Sequence, residues 1–172
     1  MVQAFADLVL ENDYAQLTVQ QIIDRADVGR STFYAHFRDK QAVLLSCFDE
    51  VEIGLTTARG RAESSSRATP AAVVMNHAWQ HQRVYRAVCA SSASGLVQRH
   101  LRKLLLPDLE GFLPAHSDSA DGGELAIARE FYVSALIGLL IWWVSTGFRV
   151  GPDELAGEFQ RFAARGIPGL VA

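Results

Sequence analysis

Residues 18–40, TVQQIIDRADVGRSTFYAHFRDK, constrain the fold of this chain more than any other segment, because they encode two short helices joined by a tight turn. Thr18 and Gln21 have the spacing of a capping box, in which each side chain binds a free backbone N–H at the start of a helix. The helix that follows has one apolar face, formed by Val19, Ile22, Ile23 and Ala26. The segment therefore begins with a capped amphipathic helix that needs a core to pack on.

The turn at residues 27–29 leads into a second helix, predicted over residues 30–37, whose two sides differ in chemistry. Phe33 and Phe37 lie four residues apart and so can anchor one side to the core. The other side is left with Arg30, Ser31, Thr32, Tyr34 and His36. Small hydroxyls, an arginine and an exposed tyrosine suit base edges and phosphates in a DNA major groove. The segment predicts a DNA-reading helix-turn-helix; the alternative is an amphipathic helix packed in an unrelated bundle.

The string T-V-x-x-I-x-x-x-A-x-V-x-R-S-T-F-Y-x-H-F-x-D-K resembles the DNA-binding signature of the tetracycline-repressor (TetR) family of transcriptional regulators. The resemblance runs from about Phe5 to Leu45. It implies an all-α fold, with an N-terminal three-helix helix-turn-helix DNA-binding domain over residues 1–45. A C-terminal helical domain for ligand binding and dimerisation would occupy residues 46–172.

Position by position, the resemblance also implies which residues contact DNA. Two residues at the start of the first helix of the motif would lie near the DNA backbone: Thr18 and Gln20. Base edges or phosphates would be bound by Arg30, Ser31 and Thr32, and phosphates by Tyr34, His36 and Lys40. Ala35 occupies a place where other members often carry a larger residue. Members usually also have several basic residues and a longer first helix before the point where this chain starts, so we expect a truncated first helix.

Charge and cysteine content restrict the function less than the motif does. The net charge is −3, and within residues 1–45 four Lys or Arg face six acids, so charge alone does not indicate nucleic-acid binding. Cys47 and Cys89 are too few for a disulfide framework, and no secretory signal pattern opens the sequence, so we expect a cytoplasmic protein. The chain shows no Gly-rich phosphate loop, nucleophile elbow or recognisable pair of catalytic carboxylates, and we expect no enzyme and no cofactor.

Hydrophobic periodicity predicts about nine helices in all and no strand or repeat. The six that follow the motif are predicted over residues 40 to about 60, 70 to about 81, a short stretch through 89, 96 to about 113, 124 to about 147, and 152 to about 165. Residues 131–144 contain Ser134 as their one polar residue, yet a membrane span needs about 20 apolar residues. We therefore expect a helix buried on most sides and no membrane partner.

The predicted regulatory domain contains one suggestive pair of histidines. His77 and His81 lie four residues apart on one helix, where Cys89 or His100 could complete a transition-metal site. Two histidines make only half of such a site, and no carboxylate lies between residues 64 and 107. We therefore expect no metal site, with ordinary surface or pocket-lining histidines as the interpretation.

Family architecture places a ligand pocket among the middle helices, which in this chain supply Trp79, Tyr85, Leu105, Phe112, Phe131 and Trp142. Mainly apolar side chains favour an unknown hydrophobic small-molecule effector, and the excess of basic residues between 64 and 107 is a weaker indication that it is acidic. The apolar faces of helices 125–147 and 155–164 suit a two-fold four-helix interface.

Together these features predict a ligand-responsive homodimer that binds double-stranded DNA at a palindromic operator. Members of the family that it resembles are most often repressors, so we expect a repressor. The alternative is a TetR-like regulatory subunit that acts mainly through a protein partner and binds DNA weakly.

Overall fold

The computed structural model describes residues 1–60, 69–109 and 122–165, which form ten α-helices and no β-strand. The helices are α1 (Val2–Glu11), α2 (Val19–Ala26), α3 (Arg30–His36), α4 (Lys40–Ser46), α5 (Asp49–Gly60), α6 (Pro70–Gln80), α7 (Gln82–Cys89), α8 (Ser94–Asp108), α9 (Gly122–Ser145) and α10 (Pro152–Arg165). The predicted all-α fold is confirmed. All nine predicted helices are present, and one of them is divided into α4 and α5.

The division between α4 and α5 corrects the single helix predicted over residues 40–60. Asp39 caps α4, since its Oδ1 accepts the Ala42 N–H at 2.8 Å. The N–H groups of Cys47 and Phe48 then bond three residues back, to Leu44 at 3.2 Å and to Leu45 at 3.0 Å, which ends the α-helical pattern. The apolar spacing does not reveal this break because Phe48 at the corner is itself buried.

One hydrophobic core joins the N-terminal helices to the rest of the subunit. It includes Phe5, Ile22, Phe33 and Val43 from the first four helices, all fully buried. Helix α8 begins at Ser94, two residues before its predicted start at residue 96, and contains Pro107. The predicted extension of this helix to residue 113 lies outside the described residues.

Helix α10 packs against α6 within the same subunit. Leu155 and Phe159 are buried, and the Phe159 ring meets the Tyr132 ring edge-on at a centroid distance of 4.9 Å. Asn76 of α6 also donates to Asp153 Oδ1 at 3.1 Å. The apolar face of α10, which we expected to meet a partner, is therefore largely used inside the subunit.

Helix α9 is buried on one side and exposed on the other. Its inner side is formed by Val133, Leu136, Leu140 and Trp143, whereas Ile127, Phe131 and Trp142 are exposed. Residues 125–145 are long and apolar enough to cross a membrane by length and composition, and only 28% of their most apolar stretch is buried. The expectation that this helix is buried on most sides is therefore wrong for the isolated subunit.

Candidate nucleic-acid interface

The start of α2 is closed by the predicted capping box. Thr18 Oγ1 accepts the Gln21 N–H at 3.3 Å, and Gln21 Oε1 accepts the Thr18 N–H at 2.8 Å. Leu17 before the cap and Ile22 after it are both buried in the core. These contacts are all local, and they give α2 a defined first turn with Thr18 and Gln20 exposed on it.

The turn between α2 and α3 contains a residue in the left-handed region. Asp27 has φ +50° and ψ +51°, a conformation that Asp and Asn adopt more readily than most other non-Gly residues. Its N–H and that of Val28 bond back to the last turn of α2, to Asp24 and Ile23, both at 3.3 Å. Gly29, in an extended conformation, is then the N-cap of α3.

Helix α3 has the two-sided character that its sequence predicts. Phe33 is fully buried, Phe37 just beyond the helix is half-buried, and their ring centroids are 6.0 Å apart. The polar and aromatic residues of the other side are all exposed: Arg30, Ser31, Thr32, Tyr34 and His36. The Arg30 guanidinium lies 5.8 Å from the centre of the Tyr34 ring. The structure thus presents these five side chains to solvent on one short, core-anchored helix.

Comparison with known proteins agrees with this geometry. Residues 3–47 match the family described as bacterial regulatory proteins of the tetR family, and residues 72–165 match the family described as a transcriptional regulator C-terminal region. The chain belongs to the TetR family.

Individual relatives of this TetR-family chain are distant. An uncharacterised HTH-type transcriptional regulator of Bacillus subtilis, YxbF, is 25% identical to the chain. The alignment is 171 residues long, gaps included, and covers 93% of the chain. The chain spans about 42% of the length of that relative. Among solved structures, a TetR transcriptional regulator from Streptococcus agalactiae is 25% identical with a TM-score of 0.67, covering 94% of this chain and 90% of that one.

A second solved structure shares the fold at lower identity. The fatty acid degradation regulator FadR of Bacillus halodurans is 17% identical with a TM-score of 0.64, covering 96% of this chain and 97% of that one. At this identity the likeness shows the fold alone.

Besides Thr18, two of the predicted DNA contacts have partners inside this TetR-family chain. Gln20 Nε2 donates to Asp24 Oδ1 at 2.8 Å on the exposed face of α2. Lys40 Nζ donates to the carbonyl oxygens of Tyr14 at 2.9 Å, Ala15 at 3.2 Å and Leu17 at 2.7 Å. A lysine ammonium has three N–H donors, so all those of Lys40 are engaged. Lys40 therefore has a structural role in this loop, and its contact with a phosphate stays a prediction.

The residues predicted to line a ligand pocket are not brought together. Tyr85 and Leu105 are buried in the core, whereas Trp79, Phe131 and Trp142 are exposed. Trp79 instead stacks on Trp143, with ring centroids 5.9 Å apart. In the described part of the chain, Tyr85, Trp79 and Phe131 line three separate cavities, so a pocket shared by the predicted residues stays a prediction. Phe112 lies outside the described residues.

A small cavity lies instead between the N-terminal helices and the regulatory ones. It has a volume of about 130 Å³ and is lined by residues of α1, the α4–α5 corner, α5, α6 and α7. Pockets for drug-sized ligands usually measure about 300–1,000 Å³. Its lining includes Glu50, His77, His81 and Tyr85. Sequence reasoning missed Glu50, because it lies 27 positions before His77 and on a different helix.

Proposed function

We propose that the chain is a ligand-responsive transcriptional regulator, with repression as its mode, that binds a palindromic DNA operator as a homodimer in the cytoplasm. The observation that carries this proposal is the exposed side of α3. It combines an arginine, two hydroxyls, a tyrosine and a histidine on a helix that Phe33 fixes to the core. TetR-family membership adds to that observation.

In the proposed complex, α3 enters the major groove while the start of α2 lies along the DNA backbone. Arg30, Ser31 and Thr32 at the start of α3 would meet base edges or phosphates, as is usual for the N-terminal residues of a recognition helix. Tyr34 and His36 would bind phosphates. Such contacts position the protein, whereas base contacts select the sequence.

The exposed side of α9 supports the proposed homodimer. Ile127, Phe131 and Trp142 recur on one side of the helix and are exposed in the isolated subunit. Soluble monomers rarely leave a large contiguous apolar patch in contact with water. A second copy is favoured over lipid as its cover, because Glu130 on the same helix is ion-paired with Arg102 of α8. The part of α10 that remains exposed, around Ala163, would lie beside it.

The proposed effector is a small, mainly hydrophobic molecule with an acidic group, bound between regulatory helices. Because the expected pocket residues are dispersed, the groove between α8 and α9 is the better candidate. It has a volume of about 360 Å³ and is lined in part by Arg99, Arg102, Ile137 and Ile141. An effector can release DNA only to the extent that it binds the two conformations of the dimer with different affinity.

Selection from a random DNA pool tests the proposal. The full chain should enrich a palindrome whose half-sites are about 34–36 Å apart, or a multiple of that distance. Gel shifts on the enriched sequence should then give a protein dimer per site. Enrichment of no sequence would contradict the proposed operator binding and would favour the alternative, a regulatory subunit that acts through a protein partner.

A further inference from the structure

Three potential metal ligands converge beside the small cavity between α1 and α5–α7. Glu50 lies in the first turn of α5, His77 in α6 and His81 at the junction of α6 and α7. Each offers one ligand atom, and these atoms all lie within 4.8 Å of one another. His81 Nε2 is 3.4 Å from Glu50 Oε2, and the two imidazole centroids are 4.5 Å apart.

His77 has a buried nitrogen with no hydrogen-bond partner. The residue is only 6% exposed, and its Nδ1 lies 2.9 Å from the Tyr85 hydroxyl oxygen. Its Nε2 is buried and makes no hydrogen bond. An unsatisfied buried polar atom costs about 1–3 kcal/mol, so such atoms are rare without a functional reason. His77 therefore has an unpartnered buried nitrogen, and one nitrogen of its ring lies within 4.8 Å of ligand atoms of Glu50 and His81.

The bond between His77 and Tyr85 has the arrangement that metal-binding histidines use. When Nδ1–H donates to the Tyr85 oxygen, Nε2 carries the free electron pair that binds a metal. Histidine ligands nearly always donate their second ring N–H to an oxygen acceptor, usually a carboxylate, a backbone carbonyl or water, which fixes the tautomer and the orientation of the ring. The Tyr85 hydroxyl would take the place of that acceptor here.

We propose that Glu50, His77 and His81 form a binding site for one divalent transition-metal ion of the zinc class. Two imidazoles and one carboxylate are a donor set of zinc sites that keep a fourth position open. Tetrahedral zinc with bonds of about 2.0–2.1 Å separates its ligand atoms by about 3.3 Å. The 3.4 Å between His81 and Glu50 already matches this spacing. The ligand atoms of the three residues lie up to 4.8 Å apart, so binding of an ion would draw them together by up to about 1.5 Å.

An ion bound at this site would connect α5 to the α6–α7 pair. Glu50 belongs to α5, which follows the N-terminal helices, while both histidines belong to the α6–α7 pair. The adjoining cavity is lined on its other side by Val2, Gln3 and Ala6 of α1. The open fourth position would face this cavity, whose volume of about 130 Å³ accommodates water or a small anion.

Calorimetric titration of the metal-free full chain with Zn²⁺ tests this proposal. We expect saturable binding of one ion per chain, and substitution by Co²⁺ should give the visible absorption of a tetrahedral site. Glu50→Gln and His81→Gln each remove a ligand from an exposed or half-buried position and should weaken binding at least about tenfold. Tyr85→Phe should weaken it about tenfold through loss of the partner of His77, which is the usual effect of removing such a partner.

His100→Gln provides the matched control. His100 lies near Phe48, with ring centroids 6.0 Å apart, but is not among the three converging residues. Its variant should bind Zn²⁺ with unchanged affinity. Absence of saturable one-to-one binding in the wild type, or equal affinity in the wild type, Glu50→Gln and His81→Gln, would overturn the proposal and leave a simple Glu50–His81 ion pair. Because the titration needs no DNA, its outcome is independent of the proposed operator binding.

Discussion

The ammonium nitrogen of Lys40 lies 2.7 Å from the backbone carbonyl oxygen of Leu17. This contact joins the first residue of α4 to the residue just before the cap of α2. Two more carbonyls in the same loop and the ring of Tyr14, whose centre is 4.7 Å away, complete its surroundings. One lysine thus holds the α1–α2 connection against α4, beneath the exposed side of the helix-turn-helix.

We therefore predict that Lys40→Ala destabilises the protein itself. Hydrogen bonds to a charged donor contribute about 1.5–3 kcal/mol, and the free energy of unfolding in urea should fall by about that amount. Arg38→Ala is the control, because that side chain is 78% exposed and its ion pair with Asp39 is a surface contact. If Lys40→Ala is as stable as the wild type but binds DNA more weakly, then Lys40 acts as a phosphate contact and not as a structural residue.

A second prediction separates the residues of α3 by the kind of DNA contact they make. Arg30→Ala or Thr32→Ala should change which sites are preferred, since a lost base contact costs about 1–3 kcal/mol at one position. Tyr34→Phe should lower affinity about equally on all sequences, as expected for a phosphate contact. Binding to a panel of single-base variants of the selected site measures both effects.

Arg83→Ala is the control for this series, because Arg83 is an exposed arginine on α7 that lies outside both the helix-turn-helix and the proposed effector groove. It should leave both affinity and site preference unchanged. If the three α3 variants behave like Arg83→Ala, then α3 is not the recognition helix.

A third prediction concerns the exposed side of α9. Light scattering of the wild type at micromolar concentration should give twice the chain mass of 18.9 kDa. Phe131→Glu places a charge in the proposed interface and should give the monomer mass. Ile53→Glu is the control for the added charge, because Ile53 on α5 is 65% exposed and Phe131 is 67% exposed. It should keep the dimer mass. A monomeric wild type would exclude the α9 interface.

A fourth prediction concerns the close approach of α5 and α6. A Cβ added at Gly54 would lie 2.8 Å from Val73 Cγ1, which is too short for an ordinary contact. Gly54→Ala should therefore lower the thermal midpoint, because overpacking costs about 1–3 kcal/mol. Gly157→Ala in α10 meets no atom within 4 Å and should raise it slightly through higher helix propensity. A rise in both variants would show that α5 and α6 separate easily.

The domain boundary between residues 45 and 46 stays a prediction. It falls within α4, which spans Lys40–Ser46, and one hydrophobic core continues across it. Limited proteolysis of the full chain measures whether the N-terminal unit separates there.

The sequence by itself determined the helix-turn-helix, because its determinants are local. The capping box joins residues three apart, the Gly29 cap precedes its own helix, and Phe33 and Phe37 lie one turn apart. Helix periodicity likewise depends on residues only three or four positions apart. All nine predicted helices are therefore found close to their predicted positions, with one of them divided into α4 and α5. The exposure of the five polar and aromatic residues on α3 followed directly from the burial of Phe33.

Only the tertiary structure decided which side chains meet across helices. Lys40 carries the charge of a phosphate ligand, but the loop 23–26 residues earlier offers it three carbonyl oxygens. The apolar stripe of α10 looks like an interface, yet α6 covers it. Glu50 joins two histidines only because α5 packs beside α6. Residue spacing defines the apolar face of one helix. Which other helix contacts that face depends on how all the helices pack together around the core.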